Sequence, residues 1–278
     1  MTAQELGRSL YQNRTGLLVG ALVGLFSGGL FGVLFGAGVG FFFQRSLKGV
    51  DVGTLNPQKA FFEATFAVMG KVAKANGRVT EEEILYAREV MARMNLSEAK
   101  RREAIELFNR GKQADFEVEA LVRPLARLIN HRAAVKQMFV EIQLQAAFAD
   151  GPVGEAELQV IQEICALLRI EYAALEQILR RCQAEQAFHS HARGGQRSWQ
   201  SGANEAQLLR EAYGVLGVDE SAPEAELKKA YRRLMSQHHP DKLIARGLPE
   251  EMMELAKEKT QEIQSAYDRI RRARRGQR

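Results

Sequence analysis

From Thr15 to Gln44 the chain carries no charged residue, and Arg14 and Arg45 bracket the stretch. As one helix these residues reach about 45 Å, against a hydrocarbon core of about 30 Å. The stretch is therefore read as a transmembrane helix over 15–44. It either tilts or leaves Phe41, Phe42 and Phe43 in the interface. A secretory signal would have an apolar core about half as long and end at a small-residue cleavage site, which "FFFQRSLKG" does not offer. Arg8 and Arg14 precede the span, partly offset by Glu5; Arg45, Lys48 and Lys59 follow it, with Lys71 and Lys74 beyond. That small bias places the C-terminal side in the cytoplasm and residues 1–14 on the opposite side.

Within the span Gly16, Gly20, Gly24, Gly28, Gly32, Gly36 and Gly40 recur every four residues, near one helix face. Glycine lets backbones approach closely in lipid, where apolar burial does not drive association. The register points to self-association through this face, most simply as a homodimer.

The net charge of +5 is mild. Residues 205–278 carry fifteen bases against thirteen acids, and no region has the footprint of a nucleic-acid binder. Cys165 and Cys182 are the only cysteines, too few for a disulfide framework. Cys165, among Ile161, Ile164 and Leu168, reads as a small core residue in a reducing compartment.

After the juxtamembrane segment 45–56, the pattern is helical to about Ala187. Asn56-Pro57 is a helix start. Two stretches match at an offset of 74 residues: "AKANGRVTEEEILYAREVMARMNL" (73–96) and "AFADGPVGEAELQVIQEICALLRI" (147–170). Each reads as a helix end, a tight loop and a second amphipathic helix. Thr80 and Glu83 form a capping box in the first; Gly154 and Glu157 hold the same positions in the second. Gly77 and Gly151 suit turns that want positive φ. Leu85, Val90, Met91 and Met94, and likewise Leu158, Ile161, Ile164 and Leu168, have the spacing of buried stripes. Further helices are expected near 98–110, 116–130, 132–149 and 171–186, with Ser97 and Asp115 as caps. The loops lack the regular oxygen ligands of a calcium site. Cys182, His189 and His191 are a poor zinc set, and no metal or other cofactor is expected.

Residues 188–204, rich in Gly, Ser, Gln and Arg, read as a flexible linker that carries Trp199. Beyond it a short helix ends at Gly217. Pro223, Glu224 and Glu226 open the next, with acids at its positive end. Leu227, Ala230, Tyr231 and Leu234 form its inner stripe; Lys228, Lys229, Arg232 and Arg233 pair at i,i+4 on an exposed basic face. Pro240 cannot continue the helix and disfavours helical geometry at His239, so His239 and Asp241 sit in a turn just past it. A third helix is expected from about Pro249 to Arg272, with Leu255, Ile263, Ala266, Tyr267 and Ile270 inward.

These residues carry two family resemblances. The paired A-[N/D]-G-x-V-x-x-x-E signatures make 57–187 resemble the TerB-like domain of tellurite-resistance proteins, which implies a helical bundle. "EAYGVLGV", "LKKAYRRLMSQHHPDK" and "QEIQSAYDRI" make 205–278 resemble the J-domain of DnaJ-type co-chaperones. That resemblance implies an all-α chain that binds a DnaK-type chaperone. Lys228, Lys229, Arg232 and Arg233 would supply docking charge, and His239, Pro240 and Asp241 would trigger the partner's ATP hydrolysis. Departures are a longer segment around "LIARGLPEE", Thr260 where many members carry a buried Phe, and no Gly/Phe-rich or zinc-binding region.

The whole chain resembles inner-membrane DnaJ-like co-chaperones of Gram-negative bacteria. This implies a periplasmic N-terminus, cytoplasmic domains and a client in envelope or capsule-synthesis signalling. The alternative is a membrane scaffold or stress sensor acting through the TerB-like domain. The chain has no nucleophile–base–acid set and no phosphate-binding glycine loop, so it reads as non-enzymatic.

Overall fold

Asn56 Oδ1 accepts a hydrogen bond from the Gln58 backbone N–H at 2.9 Å, and Pro57 fills the first turn of helix α1, Pro57–Lys74. The computed structural model describes residues 56–194 and 202–276. The expected span 15–44 with its seven glycines, the flanking segments 1–14 and 45–55, and Trp199 lie outside the described residues.

Helix α1 buries Phe61, Phe62, Phe66, Val68, Met69 and Val72 in almost every direction, which a helix does only at the centre of a bundle. Around it lie α2 (Glu81–Arg93), α3 (Glu98–Gly111), α4 (Glu119–Leu128), α5 (Ala133–Ala147) and α6 (Glu155–Leu168). The closest approach is between α1 and α3. A Cβ on Gly111 would stand 1.8 Å from the Ala67 carbonyl oxygen, and one on Gly70 2.1 Å from that of Phe108.

Local signals hold in both repeats. Thr80 Oγ1 accepts from the Glu83 N–H at 3.3 Å, while Glu83 Oε2 accepts from the Thr80 N–H at 2.7 Å. Glu157 Oε2 accepts from the Gly154 N–H at 2.6 Å; glycine has no side chain to return the bond. Gly77 (φ +91°) and Gly151 (φ +141°) take the positive φ their turns need. Ser97 caps α3 through the Lys100 N–H.

Two expectations fail. Leu85 is 55% exposed. The buried face of α2 runs through Glu83, Ala87, Val90 and Met91, and Leu85, two residues from both Glu83 and Ala87, lies on the far side. Asp115 is not a cap: α4 starts at Glu119 after Val118 with no side-chain cap, because Phe116 and Val118 turn into the core.

Helix α7 (Tyr172–Gly194) runs into the stretch read as linker, and α8 (Gly202–Leu216) starts within it. Phe188 near the end of α7 joins a second core with Leu208, Ala212, Leu216, Leu227, Leu234 and Ile263. This core unites α8, α9 (Glu224–His238) and α11 (Met253–Gly276). Between α9 and α11 lie α10 (Pro240–Ile244) and a 3-10 turn, Glu250–Met252.

The two cores do not divide where the sequence motifs do. Leu243, Leu248, Met252, Leu255 and Ala256 pack into the first core, that of the middle bundle. Arg132 Nη1 donates to the Arg246 carbonyl at 2.8 Å, and a Cβ on Gly247 would lie 2.9 Å from Pro57 Cβ. The longer segment noted in the sequence thus joins the C-terminal helices to the middle bundle, and the described residues belong to one compact unit. Among the described residues all regular structure is helical, and none of the helices is long and apolar enough to cross a membrane.

Candidate functional site

The site starts with the stop of α9. Pro240 has no N–H to offer the helix, and His239 leaves helical geometry at φ −60°, ψ +123°. Pro240 then serves as the first residue of α10, so Asp241 sits in the first turn of a five-residue helix rather than in an open turn. His239 and Asp241 are exposed and Pro240 is half-buried. Lys242 Nζ donates to Ser236 Oγ at 2.8 Å and straps the turn to the last turn of α9.

Leu227, Ala230 and Leu234 face the second core. Tyr231, half-buried, stacks on Tyr267 with ring centroids 4.1 Å apart and hydrogen-bonds Gln264. These contacts fix α9 on α11 and leave Lys228, Lys229, Arg232 and Arg233 exposed on the other side. Among the described residues none of the four is in an ion pair. The structure therefore leaves a cationic face free on α9 and exposes His239 and Asp241 just past its end.

A second set of residues lies beneath the turn, and the sequence reading did not single it out as a site. His238 is 2% exposed. Its Nδ1 lies 3.0 Å from the Leu234 carbonyl oxygen, and its Nε2 lies 3.0 and 3.2 Å from the two carboxylate oxygens of Glu141 on α5. Glu141 also pairs with Arg181 of α7, accepts from Gln137 at 2.8 Å and lies 4.0 Å from Lys259 of α11. Lys259 pairs with Glu185 and lies 3.9 Å from Glu262, which faces His189 at 2.9 Å.

Burial raises the Glu141 carboxyl, but Arg181, His238 and Lys259 outweigh it and hold the group well below the usual carboxylate range. Burial would lower Lys259, yet Glu185, Glu141 and Glu262 hold it above the usual amine range. Burial pushes Glu185 up against the pull of Lys259. Removing one partner from such a buried network costs about 3–5 kcal/mol, because the charge left behind has neither water nor a counter-ion.

The network borders a cleft of about 990 Å³ between α2, α5, α7 and α11, lined by Tyr86, Arg93, Met138, Gln186 and Glu258 among others. One sequence signal pointed to the network. Lys259 and Glu262 lie on the same stripe of α11 as Leu255, Ile263 and Ala266, and Glu141 interrupts the apolar run of α5. Cys182, weighed above as a metal ligand, is buried in the first core. Among the described residues no three His, Cys, Asp or Glu side chains are grouped as metal ligands.

The family of the tellurite resistance protein TerB matches residues 62–180, and the DnaJ domain family matches 211–276. The chain is 45% identical over 221 residues to the co-chaperone protein DjlA of Coxiella burnetii, covering 78% of each protein. It is 45% identical over 224 residues to the co-chaperone protein DjlA of Aliivibrio fischeri, covering 77% of this chain and 79% of that one. With the co-chaperone protein DjlA of Vibrio cholerae it shares 44% identity over 240 residues, 83% of this chain and 84% of the relative. No solved structure matches the chain.

Proposed function

This chain belongs to the DjlA family of co-chaperone proteins, and from that premise we propose that it binds a DnaK-type chaperone and stimulates its ATP hydrolysis. The observation that carries the reading is the exposed His239-Pro240-Asp241 turn beside four unpaired cations on one face of α9. Exposed cations steer an acidic partner and make the encounter salt-sensitive. A turn held by Pro240 and the Lys242–Ser236 hydrogen bond presents His239 and Asp241 at low entropic cost. The chain acts as a regulator, and the chemistry belongs to the partner.

Residues 15–44 would anchor it in the inner membrane with residues 1–14 in the periplasm and the helical domains in the cytoplasm. The glycine face Gly16 to Gly40 would pair two copies. The client would lie in envelope or capsule-synthesis signalling. These parts rest on the sequence pattern and the family resemblance.

The test is single-turnover ATP hydrolysis by the cognate DnaK, alone, with the soluble fragment 51–278, and with its His239→Gln variant. Stimulation by the parent fragment and none by the variant is expected. Equal rates in all three samples would overturn the co-chaperone reading. The scaffold reading would then lead, and a chain lacking 205–278 would keep its phenotype.

A further inference from the structure

We propose that Glu141 of the middle bundle is a positioning residue for the His239-Pro240-Asp241 turn, acting through His238; the inference rests on the co-chaperone reading above. His238 immediately precedes the turn, and its ring is tied from both sides. The Leu234 carbonyl oxygen lies 3.0 Å from Nδ1. The Glu141 carboxylate, itself gripped by Arg181 and Lys259, faces Nε2 at 3.0 and 3.2 Å. A buried ring with an oxygen at hydrogen-bond distance from each nitrogen has little room to turn, and that constrains the last turn of α9.

Glu141 itself has little freedom. It is 1% exposed and is gripped by groups on three elements: Gln137 of α5, Arg181 of α7 and Lys259 of α11. On the other flank of the turn, Leu243 and Leu248 are fully buried in the first core. The exposed triplet is thus held between two attachments to the middle bundle, one ionic at 238 and one apolar at 243–248. The four cations of α9 are exposed and take part in neither attachment. The middle bundle therefore sets the geometry of the trigger and leaves the docking charge untouched.

That separation gives a signature. In the full-length chain in detergent micelles, Glu141→Gln and Glu141→Ala are compared with His238→Ala and the Glu141→Ala/His238→Ala double variant. Maximal stimulation of DnaK single-turnover hydrolysis is expected to fall by about tenfold to a hundredfold, the range set by losing a buried hydrogen bond to a charged group. The half-saturating concentration should stay within about twofold, because docking cations are unchanged. The double variant should be no worse than the worse single variant, since both act through one contact.

Amide hydrogen exchange at residues 239–244 is measured in the same samples without chaperone, and should quicken by at least about tenfold in Glu141→Gln while α1 stays protected. Loss of α1 protection in Glu141→Ala would mark global unfolding, and the nearly isosteric Glu141→Gln then decides. Unchanged exchange at 239–244, or maximal stimulation within twofold of the parent, would overturn the inference. If the parent chain itself fails to stimulate, the co-chaperone reading fails; the exchange comparison still decides whether Glu141 holds the turn.

Discussion

Leu248→Ala tests whether the C-terminal helices are truly docked on the middle bundle. Leu248 lies between α10 and the 3-10 turn, yet its side chain is 0% exposed and belongs to the first core. Truncating a fully buried leucine costs about 2–5 kcal/mol, the upper end applying where neighbours cannot collapse into the space. Collapse is restricted here: the adjacent Gly247 already sits against Pro57 and Arg132, and Leu243 and Met252 are themselves fully buried.

Leu248 belongs to the first core and not to the second, so the loss falls on the attachment of the C-terminal helices to the middle bundle. At about 1.4 kcal/mol per factor of ten, the docked state loses roughly 30-fold or more of its advantage over an undocked one. The assay is urea unfolding of fragment 51–278 by circular dichroism, with amide exchange resolved by residue. Protection in α10 and at 248–256 should fall by at least that factor while α1 keeps its own. A shift under about 0.5 kcal/mol, the size expected of a surface substitution, would refute the packing argument.

Two further outcomes follow from the middle bundle. Gly111→Ala gains up to about 1 kcal/mol of helix propensity, but its Cβ would meet the Ala67 carbonyl oxygen at 1.8 Å. Backbone cannot rotate aside, so overpacking of about 1–3 kcal/mol or more should win; a raised thermal midpoint would show that α1 and α3 are not in backbone contact. Burial pushes the Cys165 thiol up to about 12 and Cys182 well above the ordinary thiol value. Both should resist alkylation at pH 8 in the native chain and react once it is unfolded in urea. The sign for stability follows: above the ordinary thiol value the unfolded chain releases protons that the folded chain retains, so stability falls as pH rises toward about 12. Rapid labelling of the native chain, or a urea midpoint that rises from pH 8 to pH 10, would contradict this.

Local sequence suffices for whatever closes within a few residues. Asn56, Thr80 and Ser97 cap their helices because the acceptor and the N–H it satisfies are two or three positions apart. Pro240 ends α9 through its own ring, and Lys228, Lys229, Arg232 and Arg233 share a face because helical spacing puts them there. So the exposed triplet and its cationic neighbour were legible before any fold was known. Tertiary structure decided which buried groups meet. His238 finds Glu141 97 positions away, Leu248 packs in the first core although α9 and the later part of α11 build the second, and Leu85 faces solvent although its spacing allowed burial. Periodicity names a face, but only packing chooses what covers it. A buried charge such as Glu141 or Lys259 is tolerable only where distant chain segments bring its counter-ions, so the network beneath the turn exists at the level of the assembled fold alone.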